Sequence, residues 1–300
     1  MQIRRVLAAT SAAVIAATGL VACSSDSSDS ASGDSESAEQ DGPIRVGTTD
    51  AAKKAWAALE EAAEAEGIDI EIENFADYST PNQALEQGQL DTNNFQHLKF
   101  LAEYNVGNDS DLTPIVATEI IPLALFWKDH DSLDGIEGES IAIPNDPSNQ
   151  GRAINVLVQA DLITLKEEGL VTPTPADIDT EASKVQITPV DAAQTPSAYG
   201  EGTPAIINNS FLDRAGIDPN LAVFQDDPNS PEAEPYINAF VVRAEDADNE
   251  TIKQLAELWH TPEVQAAVDE DAKGTSVQVE RTQEELQEIL DRLEEAERNS

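Results

Sequence analysis

IRVGTTDAAKKAWAALEEAAEAEGIDIEIENF, residues 44–75, decides the fold class. Ile44-Arg45-Val46-Gly47-Thr48 is a short strand. From Ala51 to Gly67 the side chains Ala55, Leu59 and Ala62/Ala63 recur at helical spacing, and Gly67 supplies the stop. Ile68, Ile70 and Ile72 then alternate with Asp69, Glu71 and Glu73, the period of a strand with one buried face, ending at Asn74-Phe75. Strand, helix and strand joined by short connections form a βαβ unit, so a parallel sheet with helices on its faces is expected. Ligands of such sheets sit at the carboxyl ends of strands. The loop Phe75-Ala76-Asp77-Tyr78-Ser79-Thr80-Pro81-Asn82 is at such an end.

Working outward, Asn82 to Gln87 makes a short helix stopped by Gly88. Leu90 to His97 returns Phe95 and His97 towards the same edge, before a helix over Gln96 to Tyr104. Ile115 to Trp127 is a long apolar run broken by Glu119 and Pro122, read as a strand that leaves the first lobe near Leu123-Ala124-Leu125. The next decisive stretch is IAIPNDPSNQGR, residues 141–152. An apolar strand end runs into turn-forming and helix-capping residues, then Arg152, behind which the chain turns helical. Backbone N–H groups at a helix start face outward, and an arginine there can clamp a carboxylate with two parallel hydrogen bonds. An ordinary strand-to-helix loop with a surface arginine fits this stretch equally well.

Beyond it, a further helix is expected after Thr172–Pro175, then a strand at Val185-Gln186-Ile187. Pro204 to Asn209 is a strand ending in asparagines. Phe224 to Pro235 is an acidic connection, and Tyr236 to Arg243 is a strand returning to the first lobe. Two helices close the chain, Thr251 to His260 and Thr282 to Arg298. The second opens on a capping box, Thr282 with Glu285.

Composition narrows the function. The 300 residues include 17 basic and 58 acidic ones, a charge of −41. That balance excludes a nucleic-acid binder, because phosphate contacts need clustered Lys and Arg. Arg4 and Arg5 precede an apolar run, Val6 to Leu20, and then Leu20-Val21-Ala22-Cys23, which resembles a bacterial lipobox. Residues 1–22 are thus read as a signal peptide and Cys23 as the lipidated N-terminus. Their removal leaves 15 basic residues against 58 acidic ones, a charge of −43. Residues 23–42 are Ser/Asp/Glu-rich with no large apolar side chain, a disordered tether. The protein is therefore expected at the extracytoplasmic face of the cell membrane, anchored by lipid. Cys23 is the only cysteine, and His97, His130 and His260 lack ligand spacing, so no metal site is expected. No G-x-S-x-G and no Walker A sequence occurs. An enzyme is accordingly disfavoured.

Four motifs now stand in order behind the lipobox: FADYSTPNQALEQGQLDTNNFQH (75–97), IPNDPSNQGRA (143–153), AIINN (205–209) and PYIN (235–238). Over about residues 43–300 the chain resembles the NlpA family of methionine-binding lipoproteins, the substrate-binding components of methionine-type ABC importers. The resemblance implies a periplasmic-binding-protein fold of type II: two α/β lobes joined by two crossover strands, with a ligand cleft between. Residues 43–123 with 241–300 would form lobe 1 and 124–240 lobe 2. It implies no cofactor, and ABC permease and ATPase subunits as partners. By motif, Arg152 would hold the ligand α-carboxylate, and Asn208 and Asn238 the ammonium and carboxylate ends. Asn149 would join the site, and Tyr78, Phe95 and His97 would line the side-chain pocket. Where the family commonly has Pro-Tyr after the histidine, Leu98-Lys99-Phe100 stands here, so no tyrosine hydroxyl is offered. L-methionine is the first expectation; D-methionine, a methionyl dipeptide, another apolar amino acid, or a surface-interaction lipoprotein that has lost transport are the alternatives.

Overall fold

The computed structural model describes residues 42–167, 169–170 and 172–299. The expected signal peptide, Cys23 and all of the expected tether but Gly42 lie outside these residues. In chain order the strands are β1 (Ile44–Thr48), β2 (Ile70–Asn74), β3 (Thr92–Asn93), β4 (Thr113–Ile120), β5 (Ala124–Phe126), β6 (Ser140–Pro144), β7 (Gln186–Val190), β8 (Ala205–Ile207), β9 (Ala222–Gln225), β10 (Ile237–Val242) and β11 (Val277–Gln278). The helices are α1 (Lys54–Glu66), α2 (Pro81–Glu86), α3 (Leu98–Asn108), α4 (Pro147–Gln159), α5 (Thr195–Gly200), α6 (Leu212–Ala215), α7 (Glu250–Glu257), α8 (Pro262–Ala272) and α9 (Gln283–Arg298).

The βαβ unit forms as its periodicity requires. β1 and β2 pair parallel from Ile44↔Ile70 to Thr48↔Asn74. Between them α1 buries Ala55, Trp56, Leu59 and Ala63, and Gly67 ends it at φ 77°, a conformation that costs glycine little. Two sheets result, ordered β11-β4-β10-β3-β1-β2 and β7-β6-β8-β5-β9. They repeat one plan. In each, a strand from the other end of a crossover inserts antiparallel between two others: β10 between β3 and β4, β5 between β8 and β9. The chain crosses between the sheets twice, at 121–123 and at 226–236. Asp226 ties the crossovers together, its Oδ1 accepting from Leu123 N at 2.8 Å.

Each sheet has its own core. Val46, Trp56, Leu59, Phe240, Leu255 and Trp259 pack in one; Leu125, Ile141, Ile143, Ile154, Leu157 and Ile206 pack in the other. Three helices close the chain rather than two. Thr261-Pro262 starts α8, which buries Val264, Val268 and Ala272 at four-residue spacing. In place of the helix expected after Thr172–Pro175 there is only a single 3-10 turn, Pro175–Asp177. The box at Thr282 and Glu285 forms in both directions.

Candidate functional site

The helix that carries Arg152 begins at Pro147, ahead of Arg152 rather than behind it. Asp146 is its N-cap, accepting from Asn149 N at 3.1 Å, and Pro147 takes the first turn, where a missing N–H is harmless. Arg152 is thus not in the turn but one helical turn inside α4. Asn149 and Arg152, three apart, share a face. Gly151 lies between them because the strap at Thr172-Pro173 crosses there: a Cβ at 151 would stand 2.9 Å from Thr172 Cγ2.

Both sheets contribute to one cavity. Tyr78, Phe95, His97, Asn149, Arg152, Asn208 and Asn238 all line it, with Gln96, Phe100, Leu123, Asn209 and Ser210 among their neighbours. The structure therefore brings together every side chain singled out from the sequence. Tyr78, Phe95 and Phe100 form an aromatic cage with ring centroids 5.8–5.9 Å apart, and Phe211 backs Tyr78 at 4.9 Å. The cage loop is held by buried amides. Asn82 Nδ2 donates to Gln96 Oε1 at 2.8 Å, Asn93 Nδ2 to Asn82 Oδ1 at 3.0 Å, and Gln96 Nε2 to Asn93 Oδ1 at 2.9 Å.

Arg152 is 5% exposed and is not a free fork. Its Nε donates to Asp226 Oδ2 at 2.7 Å; its Nη2 donates to Asp226 Oδ1 at 3.2 Å and to Ile121 O at 2.9 Å. Its guanidinium lies 4.0 Å above the Tyr236 ring. Asp226 and Tyr236 compensate a buried charge that would otherwise be costly. Of the five N–H donors, the two on Nη1 have no partner among the described residues.

A polar chain runs from one sheet to the other. His97 Nδ1 accepts from Phe100 N at 3.1 Å, which leaves the proton on Nε2, 3.4 Å from Asn149 Oδ1. Burial, reinforced by the Arg152 charge, pushes His97 down to about 3, so the ring is neutral. The same Asn149 Oδ1 accepts from Asn208 Nδ2 at 2.8 Å, and Asn149 Nδ2 donates to Asp146 Oδ1 at 2.7 Å. Asn208 Oδ1 is buried and has no donor among the described residues. Such an orphan costs about 1–3 kcal/mol unless something donates to it. Asn238 Nδ2 donates to Glu119 O at 3.1 Å.

Sequence reasoning missed Phe100, Tyr236 and Asp226. In the sequence Phe100 registers only as a missing hydroxyl, although it lies one helical turn beyond His97. Asp226, one of 58 acidic residues, carried no signal of its own. Among the described residues no cluster of His, Cys, Asp and Glu could hold a metal, and no helix is long and apolar enough to cross a membrane.

The family model described as NlpA lipoprotein matches residues 44–280. Lipoprotein 28 of Escherichia coli O157:H7 is 34% identical over 248 residues, 81% of this chain and 90% of that protein. The D-methionine-binding lipoprotein MetQ of Salmonella typhi is 32% identical over 240 residues, 78% and 87% of the two chains. The substrate-binding protein of a methionine transporter from Streptococcus pneumoniae superposes with a TM-score of 0.72 at 30% identity, covering 79% of this chain and 95% of that one. The two sheets and their two crossovers are those of a periplasmic-binding-protein fold. The chain belongs to the NlpA lipoprotein family.

Proposed function

We propose that this protein captures L-methionine in the cleft between its two sheets and delivers it to an ABC permease driven by a separate ATPase, while Cys23 anchors it to the membrane through lipid. The observation that carries the reading is the cavity's division into a polar end and an aromatic end. A zwitterion entering a closed cleft loses its water, so each charge needs a directed partner. The Nη1 donors of Arg152 suit the α-carboxylate, and the orphan Asn208 Oδ1 suits the ammonium. Asn238, at the start of β10 in the first sheet, lines the same cavity and joins them. Because Asp226 already offsets the Arg152 charge, the polar end favours a ligand with no net charge over a simple anion. The cage of Tyr78, Phe95 and Phe100 suits a thioether, each sulfur–aromatic contact adding about 0.3–1.5 kcal/mol. Neutral His97 closes the cage without adding charge.

Calorimetric titration with L-methionine, D-methionine and norleucine tests this. L-Methionine is expected to bind best and norleucine, which lacks sulfur, more weakly. Equal affinity for methionine and norleucine would remove the aromatic cage from the account.

A further inference from the structure

The cleft is bridged by three basic side chains outside the aromatic cage. Lys53 Nζ lies 2.8 Å from Asp50 Oδ2 on its own side and donates to Asn209 Oδ1 across the cleft at 2.6 Å. Arg214 Nη2 donates to Ala76 O at 2.9 Å, its guanidinium 4.2 Å over the Phe211 ring. Lys273 Nζ meets Asp218 Oδ2 at 2.6 Å. Lys53, Ala76 and Lys273 adjoin α1, β2 and α8 of the first sheet. Asn209, Arg214 and Asp218 all lie in the ten residues that follow Asn208. The segment held by these contacts is therefore the one that presents Asn208 to the cavity.

Charge gives these contacts their weight. Residues 43–120 with 237–300 carry 10 Lys and Arg against 32 Asp and Glu, a charge of −22. Residues 121–236 carry 5 against 20, a charge of −15. Closing the cleft brings two anionic bodies within a Debye length, about 8 Å at physiological ionic strength, where their repulsion is felt. Cations are scarce in this chain, and three of them stand where the two bodies touch.

We propose that Lys53, Arg214 and Lys273 form a latch that sets how much of the ligand-free protein is closed, and so set ligand affinity without touching the ligand. They are positioning residues. The proposal rests on the cleft being the ligand site, since apparent affinity falls with the fraction of molecules in the competent state.

The test uses Arg214→Gln, Lys273→Gln and their double variant. Both side chains are exposed enough to be replaced without harm to a core. Two readouts are taken: methionine affinity by calorimetry, and tryptophan emission of the ligand-free protein. Trp56 and Trp259 line the chamber that holds Lys53 and Asn209, so they report opening as they gain water. Each substitution is expected to weaken affinity about two- to fivefold, as loss of an exposed ion pair (Lys273) or a single hydrogen bond (Arg214) does, and the two together to multiply. Ligand-free emission moves to longer wavelength, the ligand-saturated spectrum is unchanged, and Lys273→Arg restores both. Lys53→Met should do more, and if it does not fold, the exposed pair still decides. Unchanged affinity and unchanged ligand-free emission in the double variant would overturn the latch. Failure of the unsubstituted protein to bind methionine would instead sink the functional reading, and the ligand-free emission would still judge the latch.

Discussion

Replacing Arg152 by alanine should have two consequences that a second substitution separates. The first is loss of binding. Truncating one partner of a buried charged pair typically costs about 2–5 kcal/mol, so methionine affinity should fall at least about thirtyfold. The second is loss of stability, because Arg152→Ala leaves the Asp226 carboxylate, only 12% exposed, without its countercharge. Breaking a buried pair costs about 3–5 kcal/mol. Asp226 keeps the Leu123 N–H at 2.8 Å, so the lower end applies, about 3 kcal/mol. At about 2–4 °C per kcal/mol for a body of this size, Tm should drop by roughly 6–12 °C. Adding Asp226→Asn removes the stranded charge while leaving an oxygen to accept from Leu123. Calorimetry and thermal melts of both variants form the assay. The double variant should recover most of the lost Tm and none of the lost affinity. Affinity of Arg152→Ala within about threefold of the unsubstituted protein, or recovery of binding in the double variant, would refute the reasoning.

Three further outcomes follow from the same geometry. Phe100→Ala should weaken methionine binding about tenfold and norleucine binding less, because it removes one ring of the cage and its sulfur contact; parallel titrations decide. Asn82→Ala strands the Nδ2 of Asn93 and an amide donor of Gln96 in the core and should lower stability by about 2–4 kcal/mol in denaturant melts. His97 binds its proton in the folded state only near pH 3, whereas the unfolded chain binds one near 6.5. Its contribution to stability is therefore full above about pH 6.5 and is lost as pH falls towards 3, by at most about 1.4 kcal/mol per unit. His97→Asn should flatten that part of the Tm–pH curve relative to the unsubstituted protein.

How much was legible in the sequence follows from what each signal measures. Periodicity reports which face of an element is buried, so residues 44–75 disclosed the βαβ unit. The four motifs disclosed the side chains that face the cavity. What stayed hidden depends on tertiary neighbours. The start of α4 was misplaced because Asn145-Asp146-Pro147-Ser148 reads as a turn, although Asp146-Pro147 is also a capped helix start. The helix α8 was passed over because its acidic outer face masks the spacing of Val264, Val268 and Ala272. Asp226 sits in a crossover that reads as an acidic connection, and only the meeting of the two crossovers turns it into the partner of Arg152. Nor does any local pattern reveal that 209–218 faces Lys53 and Lys273, since those contacts join residues more than fifty positions apart.

The central claim is that the cleft takes a methionine zwitterion by its two charges and its thioether together. Titrating the purified, ligand-stripped protein with L-methionine by calorimetry tests it most directly. The account predicts one site per molecule, with binding abolished by esterifying the carboxylate or acetylating the amine. No heat with methionine, or undiminished binding of either blocked form, would contradict it.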